Sequence, residues 1–112
     1  MLALSGGSRI FLHVEPIDLR KGFEGLSSAV HQLFPEELLT GAYFVFLNRC
    51  RNRMKVLYWD NDGLAIWNKR LDKGHFSKKH LNESLMNRRE FLMLLEGITP
   101  KRLHKRIEIH KK

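Results

Sequence analysis

The stretch from Tyr43 to Leu71 constrains the fold of this chain more than any other segment. It contains two runs dense in the aromatic and β-branched residues that favour strands, separated by a short basic connection. The turn signal Asn61-Asp62-Gly63 follows the second run. Such runs, bounded by turn residues, predict consecutive antiparallel strands. The first run, Tyr43 to Leu47, is continuously apolar and is therefore predicted to be a central strand buried on both faces.

The turn after the second run determines how the strands pair. If residues 62 and 63 form a two-residue turn, Trp59 lies opposite Ile66 and Tyr58 lies opposite Trp67, whereas a longer loop would shift this register. Tyr58 and Trp59 are adjacent, so their side chains point to opposite faces of the strand. We therefore expect both faces to be partly covered, by protein or by a ligand.

A strand and a helix are predicted before this stretch. Arg9 to Val14 has the composition of a strand, Asp18 can cap a helix through its carboxylate, and Pro35 disfavours helical geometry at the residue before it. Between the last two signals, apolar residues recur at helical spacing: Leu19, Phe23, Leu26, Val30 and Leu33. This spacing predicts a helix with one apolar stripe facing the core.

A second, short helix is predicted after it. Asn87 and Glu90 have the spacing of a capping box, the apolar run from Phe91 to Leu95 follows, and Gly97 marks the end. The segment from His75 to Leu85 is ambiguous between loop and irregular helix. We expect the second helix to pack on the sheet.

The length of the chain limits how these elements combine. A chain of 112 residues can bury one modest core but not two. We predict an α+β fold in which a small antiparallel sheet of about four strands packs against two helices in a single domain. The domain is expected to span residues 9–98, between a flexible N-terminus at residues 1–8 and a basic C-terminal tail at residues 99–112.

The charge balance indicates the kind of partner. The chain has 20 Lys and Arg against 12 Asp and Glu, a formal net charge of +8, which favours polyanions, chiefly DNA or RNA. Its single cysteine, Cys50, excludes an intramolecular disulfide and fits a reducing compartment. No signal peptide and no apolar run of about 20 residues is evident, so we expect a cytoplasmic protein with no membrane partner.

The bases of Tyr43 to Leu71 are candidate donors to phosphate oxygens. They are Arg49, Arg51, Arg53 and Lys55 in and after the connection, with Lys69 and Arg70 at the end of the following strand. Contacts of this kind set affinity and salt dependence rather than sequence choice. Trp59 and Trp67 are candidates for stacking on unpaired bases, although large aromatics in strands more often belong to the core.

A second basic pair, Arg20 and Lys21, falls in the predicted first turn of the first helix. The helix dipole disfavours cations at a helix N-terminus, so two bases in the first turn are expected to lower the stability of the helix slightly. Two interpretations follow. The two bases and the free helix amides bind a phosphate, or Arg20 pairs with Glu24 four residues later.

Catalytic signatures are lacking in the sequence. The six histidines have no metal-ligand spacing, and no phosphate-cradling loop, dinucleotide fingerprint or serine elbow occurs. Asp60 and Asp62 lie beside Gly63 and are better explained as turn residues than as nuclease ligands. We expect no cofactor, no metal and no enzymatic activity, and the bases favour binding.

The ordered motifs of the chain resemble the TnpB-type accessory protein of the insertion sequence 66 family. The motifs are Asp18-Leu19-Arg20-Lys21-Gly22-Phe23-Glu24-Gly25-Leu26, Phe44-Val45-Phe46 with Asn48-Arg49, Lys55-Val56-Leu57-Tyr58-Trp59-Asp60 with Asp62-Gly63, Lys69-Arg70-Leu71 with Gly74 and Phe76, and Leu94-Leu95-Glu96-Gly97-Ile98. The resemblance runs from about Ile10 to Ile98. After Phe76 the chain departs from the family, with Ser77-Lys78-Lys79 where a Trp-Pro pair is usual.

The resemblance implies a function and partners. It implies a small bacterial protein of a transposable element that assists transposition beside a separate DDE-type transposase and a companion accessory protein, and it implies no catalytic residues. With the basic residues, it favours a DNA-binding accessory factor that contacts the DNA backbone. The alternative is a protein-interaction module that binds the transposase or the companion subunit without contacting DNA.

Overall fold

One mixed sheet organises the part of the chain that the structure describes. The structure is a computed structural model, and it describes residues 9–33, 40–77 and 84–96. In these ranges the elements are β1 (Ile10–Leu12), α1 (Phe23–Leu33), β2 (Tyr43–Leu47), β3 (Arg53–Asp60), β4 (Gly63–Arg70), β5 (Leu85–Met86) and α2 (Arg88–Leu95). The α+β fold class is confirmed, and both predicted helices are present.

The sheet differs from the prediction in strand number and direction. Its five strands lie in the order β4-β3-β2-β1-β5 rather than forming an antiparallel sheet of four. β1 and β2 are parallel, with Ile10 opposite Tyr43, because the chain returns through α1 between them. β5 pairs antiparallel with β1, with Ile10 opposite Met86, and it comes from the end of the segment that the sequence pattern left ambiguous.

β2 divides the hydrophobic core of the domain into two clusters, one on each face of the sheet. All five of its residues are buried, as predicted. Tyr43, Val45 and Leu47 face the core that contains Phe91, Leu94 and Leu95 of α2. Phe44 and Phe46 face the core that contains Leu26, Ala29 and Val30 of α1. The described residues therefore form three layers, with one helix on each face of the sheet.

The first helix begins five residues later than Asp18, at Phe23, so the predicted cap is wrong. The Asp18 carboxylate is occupied by Arg20, whose backbone N–H donates to it at 3.0 Å. The Gly22 carbonyl instead accepts the first helical bond, from Leu26 N–H at 3.0 Å.

The predicted apolar stripe of this helix is only partly correct. Leu26 and Val30 are buried as expected, and Leu19 is buried but lies in the turn before the helix. Phe23 and Leu33, at the two helix ends, are 49% and 54% exposed. Ala29 takes part in the core instead, so the buried face is narrower than the sequence spacing indicated.

The predicted hairpin register is also wrong. The turn consists of Asn61 and Asp62, because Asp60 lies opposite Gly63. Trp59 is therefore opposite Leu64 and Tyr58 opposite Ala65. Asn61 adopts a positive φ of 55°, a conformation that Asn tolerates better than most residues, so the turn closes one residue earlier than predicted. Each residue of β3 therefore pairs with a β4 residue two positions before the predicted one. Because side chains alternate with a period of two, every side chain of the hairpin still lies on the predicted face of the sheet.

The second helix confirms its sequence signature. The Asn87 side chain accepts from Glu90 N–H at 2.7 Å, and the Glu90 carboxylate accepts from Asn87 N–H at 3.1 Å. Gly97, the predicted N-terminal segment and the predicted basic tail lie outside the described residues. Within the described ranges, no helix has both the length and the apolar character that crossing a bilayer requires.

We predict that Asn87→Ala lowers the free energy of unfolding by about 1 kcal/mol, because it removes an N-cap acceptor. The matched control is Arg89→Ala, an exposed position in the first turn of the same helix, which should change stability by less than about 0.5 kcal/mol. Urea denaturation of the three proteins measures this. Equal stability of Asn87→Ala and the unmodified protein would contradict a contribution from the capping box.

A candidate nucleic-acid interface

The two predicted basic groups meet at one end of the sheet. The chain leaves β1 and passes the end of β2, where Ile17 N–H donates to the Leu47 carbonyl at 3.1 Å. This contact places the turn of residues 18–21 beside the connection of residues 48–52. Arg53 at the start of β3 lies opposite Arg70 at the end of β4, which adds a third basic segment at the same end.

The connection between β2 and β3 is held by the Asn48 side chain. Its Oδ1 accepts from the N–H groups of Asn52 at 3.1 Å and Arg53 at 3.0 Å, and its Nδ2 donates to Asn52 Oδ1 at 2.7 Å. Arg51 N–H donates to the Asn48 carbonyl, and Arg51 has a positive φ of 56°. Asn48 therefore fixes a tight loop whose tip, Arg49 and Cys50, is exposed.

Two adjoining cavities occupy this end of the sheet, and Arg20 and Arg53 line both of them. The first cavity, of about 410 Å³, is lined by Pro16, Ile17, Asp18, Leu19, Arg20, Asn48, Arg49, Cys50 and Arg53. The second, of about 250 Å³, is lined by Leu19, Arg20, Arg53, Met54, Lys55, Asn68, Lys69 and Arg70. The turn before α1 and the basic strand ends therefore form one continuous surface.

The lining of both cavities is strongly cationic. Asp18 is the one acid that lines the first cavity, against three guanidinium groups. No acid lines the second, although five basic residues do. We call the five residues on the α1 side of the sheet, or on the loops beside it, the basic cluster: Arg20, Arg49, Arg53, Lys55 and Arg70.

Three of the predicted bases are placed differently from this cluster. The Lys69 ammonium donates to the Leu95 carbonyl at 2.9 Å, at the C-terminus of α2 on the other face of the sheet. The Arg51 side chain is partly buried, and one of its terminal guanidinium nitrogens is buried with no hydrogen-bond partner among the described residues. Lys21 is exposed, but its side chain packs on α1 beside Gly25. DNA contact by these three residues stays a prediction.

Lys21 lies so close to the first turn of α1 that a side chain at Gly25 would collide with it. A Cβ atom added at Gly25 would lie 2.8 Å from Lys21 Cβ, a distance too short for two side-chain carbons. The Lys55 ammonium donates to the Lys21 carbonyl at 3.4 Å. The glycine in the first turn of the helix therefore allows the turn of residues 18–21 to lie close against α1 and β3.

Arg20 forms an ion pair with Asp18, not with Glu24 as one sequence interpretation held. Its Nε donates to both carboxylate oxygens, and a terminal nitrogen donates to Asp18 Oδ2 at 2.7 Å. The hydrogen bonds from Arg20 lower the pKa of Asp18 from 3.8 to about 2. Both predicted bases precede α1 instead of lying in its first turn, and phosphate binding by them stays a prediction.

The predicted stacking residues lie away from both cavities. Trp67 packs against the core on the α2 side, as the more frequent role of strand aromatics indicated. The Trp59 indole N–H donates to the Asn61 carbonyl at 3.2 Å in the hairpin turn. Neither ring lines the basic surface, so the arrangement favours contacts to phosphates over stacking on bases.

The residues that shape the interface were missed in the sequence. The Asn48 side chain holds the loop between β2 and β3 by hydrogen bonds, and the Asp18 carboxylate orients the Arg20 side chain. The sequence had indicated Asn48 only as part of a family motif and Asp18 only as a helix cap. The Asn48-to-Asn52 spacing is the signal that could have identified the loop, since Asn side chains often bond to nearby backbone in turns. Among the described residues, no group of three or more His, Cys, Asp or Glu side chains could hold a metal.

Comparison with known proteins defines the family of the chain. The family model described as "IS66 Orf2 like protein" matches residues 8–105. The chain therefore belongs to the IS66 Orf2-like family, as the motifs of the sequence indicated. Membership of this family implies an accessory role in transposition.

Two similar proteins come from Sinorhizobium fredii. The uncharacterized protein y4jC is 30% identical over 100 residues, which cover 88% of this chain and 86% of y4jC. The uncharacterized protein y4hO is 33% identical over 76 residues, covering 68% of this chain and 66% of y4hO. No solved structure matches the chain.

We predict that the Asp18 carboxyl titrates near pH 2 and that Arg20→Gln returns its pKa toward 3.8, because the substitution removes the charged donor. Since the folded pKa is lowered, the pair stabilises the fold above pH 3.8 and its contribution is lost as the pH falls through about 2. Carboxyl NMR chemical shifts measure the titration. An Asp18 pKa near 3.8 in the unmodified protein would contradict the ion pair.

We also predict that Gly25→Ala lowers the free energy of unfolding, by about 1–3 kcal/mol, because the new methyl group overlaps Lys21 Cβ. In most helices the same change raises stability by about 1 kcal/mol. Ser28→Ala, at an exposed position of α1, is the control and should not destabilise. Thermal or urea unfolding that shows Gly25→Ala to be stabilised would contradict the close approach.

Proposed function

We propose that the protein is a non-catalytic, DNA-binding accessory factor that assists a separate DDE-type transposase. The observation that supports it is the basic cluster, which unites three chain segments around two connected cavities. A surface with several guanidinium groups and one acid, already paired, attracts a polyanion. The family membership supplies the transposition context.

The chemistry of the cluster suits phosphate oxygens. Arginine presents a planar fork of donors that matches a phosphate bidentately, and four of the five cluster residues are arginines. Arg20 is held by Asp18, so less side-chain entropy is lost when its remaining donors bind a ligand. Arg49 is exposed on the loop and Arg53 is exposed at the start of β3, and Asn48 holds both segments in place.

The arrangement favours binding without sequence readout. Phosphate contacts orient a protein on DNA, whereas sequence is read by side chains that reach base edges in a groove. The cluster lies on strand ends and short loops, and the described helices pack with their apolar faces on the sheet. We propose that the protein recognises the DNA backbone and that the transposase supplies the choice of element ends.

We predict that Arg49→Gln with Arg53→Gln weakens binding to duplex DNA and lowers the slope of log affinity against log salt by up to about 1.8, since each phosphate contact contributes about 0.9. Fluorescence anisotropy with a labelled 30-base-pair duplex over a salt series, on the order of 50 to 300 mM, measures both quantities.

The control is the charge-matched pair Arg88→Gln with Arg89→Gln, exposed residues of α2 on the opposite face of the sheet. It should retain most of the salt slope. Equal losses in the two double variants would mean that net charge, not the basic cluster, attracts DNA. Absence of DNA binding by the unmodified protein at low salt would exclude the proposed function itself.

The proposed link to the transposase has a separate test. The purified protein and the element-encoded transposase are each freed of nucleic acid by nuclease treatment and a high-salt wash, and are then mixed at low salt with and without added DNA. Co-elution only with DNA supports an accessory factor that acts on the nucleic acid. Co-elution without DNA, together with unchanged DNA affinity in Arg49→Gln with Arg53→Gln, would favour the alternative, a module that binds the transposase or companion protein directly.

A further inference from the structure

The two edges of the sheet are protected differently. β5 forms one edge and has two residues, Leu85 and Met86, so it offers almost no backbone for pairing. β4 forms the other edge and has eight residues without a proline. Its residues from Gly63 to Trp67 are all partly exposed. No strand among the described residues pairs with its outer side.

The outward backbone groups of β4 follow from its pairing with β3. Leu71 N–H donates to the Asn52 carbonyl, so residue 71 directs its backbone toward β3. Inward and outward groups alternate along an antiparallel pair, and the odd-numbered residues of β4 therefore face β3. The even-numbered residues, Leu64, Ile66, Asn68 and Arg70, direct N–H and C=O away from the sheet.

We propose that the protein forms a symmetric dimer through its β4 edge, with β4 pairing antiparallel to β4 of a second copy. A two-fold axis places each residue opposite a residue of the other copy so that the two numbers have a constant sum. Even-numbered residues of one copy must lie opposite even-numbered residues of the other, because only these direct N–H and C=O groups outward. The two-fold axis must therefore pass beside a residue and not between two residues. The two residues nearest the middle of β4 are Ile66 and Trp67.

Charge and size complementarity select the register centred on Ile66. In that register Arg70 lies opposite Asp62 of the second copy, at both ends of the pairing. Trp67 lies opposite the small residue Ala65, and Leu64 lies opposite Asn68. In the register centred on Trp67, Arg70 would lie opposite Leu64 and Lys69 opposite Ala65, so neither base would meet an acid. Opposite charges across a strand pair stabilise it.

The dimer has a consequence for the basic cluster, and this consequence alone rests on the proposed function. The two-fold axis is perpendicular to the sheet, so both α1 faces lie on the same side of a continuous sheet. Arg70 of each copy is four residues from the axis, and the two clusters are thus separated by roughly 27 Å along the strands, at about 3.4 Å per residue. One DNA duplex can contact both, and bivalent binding raises affinity.

The first test measures mass in the absence of DNA. Sedimentation velocity and light scattering of the full chain should give twice the 13.2 kDa of one copy at tens of micromolar protein. Asn68→Pro removes an outward N–H from an exposed position and should raise the dimer dissociation constant at least tenfold, while the bonds to β3 remain. Asn68→Ala keeps the N–H and is the control. A monomeric unmodified protein, or equal effects of both substitutions, overturns the dimer.

The second test addresses the register. Arg70→Glu and Asp62→Arg should each weaken the dimer, and the double variant should restore it, because the two charges exchange places. Failure of the double variant to recover overturns the register. Slow amide exchange at Ile66 and Asn68 in a protein that stays monomeric would mean that another segment covers the edge, which also overturns the proposal. DNA affinity is not measured here, so this test can fail while the proposed function stands.

Discussion

The burial of β2 on both faces is the constraint on which the rest of the structure depends. A strand whose five side chains are all buried needs a strand on each side and a layer above and below it. β3 supplies one neighbour through a tight loop, and β1 supplies the other only because α1 carries the chain back between them. The buried cluster on each face of the sheet and the positions of both helices follow from this one requirement.

The same path of the chain creates the basic surface. Because β1 runs parallel to β2, both strands end on the same side, and the segment after β1 passes the loop after β2. The bond from Ile17 to the Leu47 carbonyl closes this approach. Residues far apart in sequence, such as Arg20 and Arg53, therefore line the same cavities. The basic surface is a product of topology, which no local motif encodes.

The sequence predicted the elements that carry strong local signals. β2 and the capping box of α2 formed as expected, because a continuous apolar run and reciprocal cap bonds depend on few neighbours. β5 was missed because two residues cannot show a period, and the start of α1 was misplaced because Asp18 bonds to Arg20 instead of capping. The parallel pairing required knowledge of which strands become neighbours.

The candidate site was predictable in composition but not in geometry. Basic residues in two segments were evident, yet their common surface depends on the crossing of the chain at Ile17. Alternation along β4 then separates Lys69 from Arg70, since adjacent strand residues point to opposite faces. Lys69 stabilises the C-terminus of α2, whereas Arg70 stays with the cluster. Two adjacent bases that look equivalent in sequence thus lie on different faces of the sheet, and the strand period determines which one lies with the basic cluster.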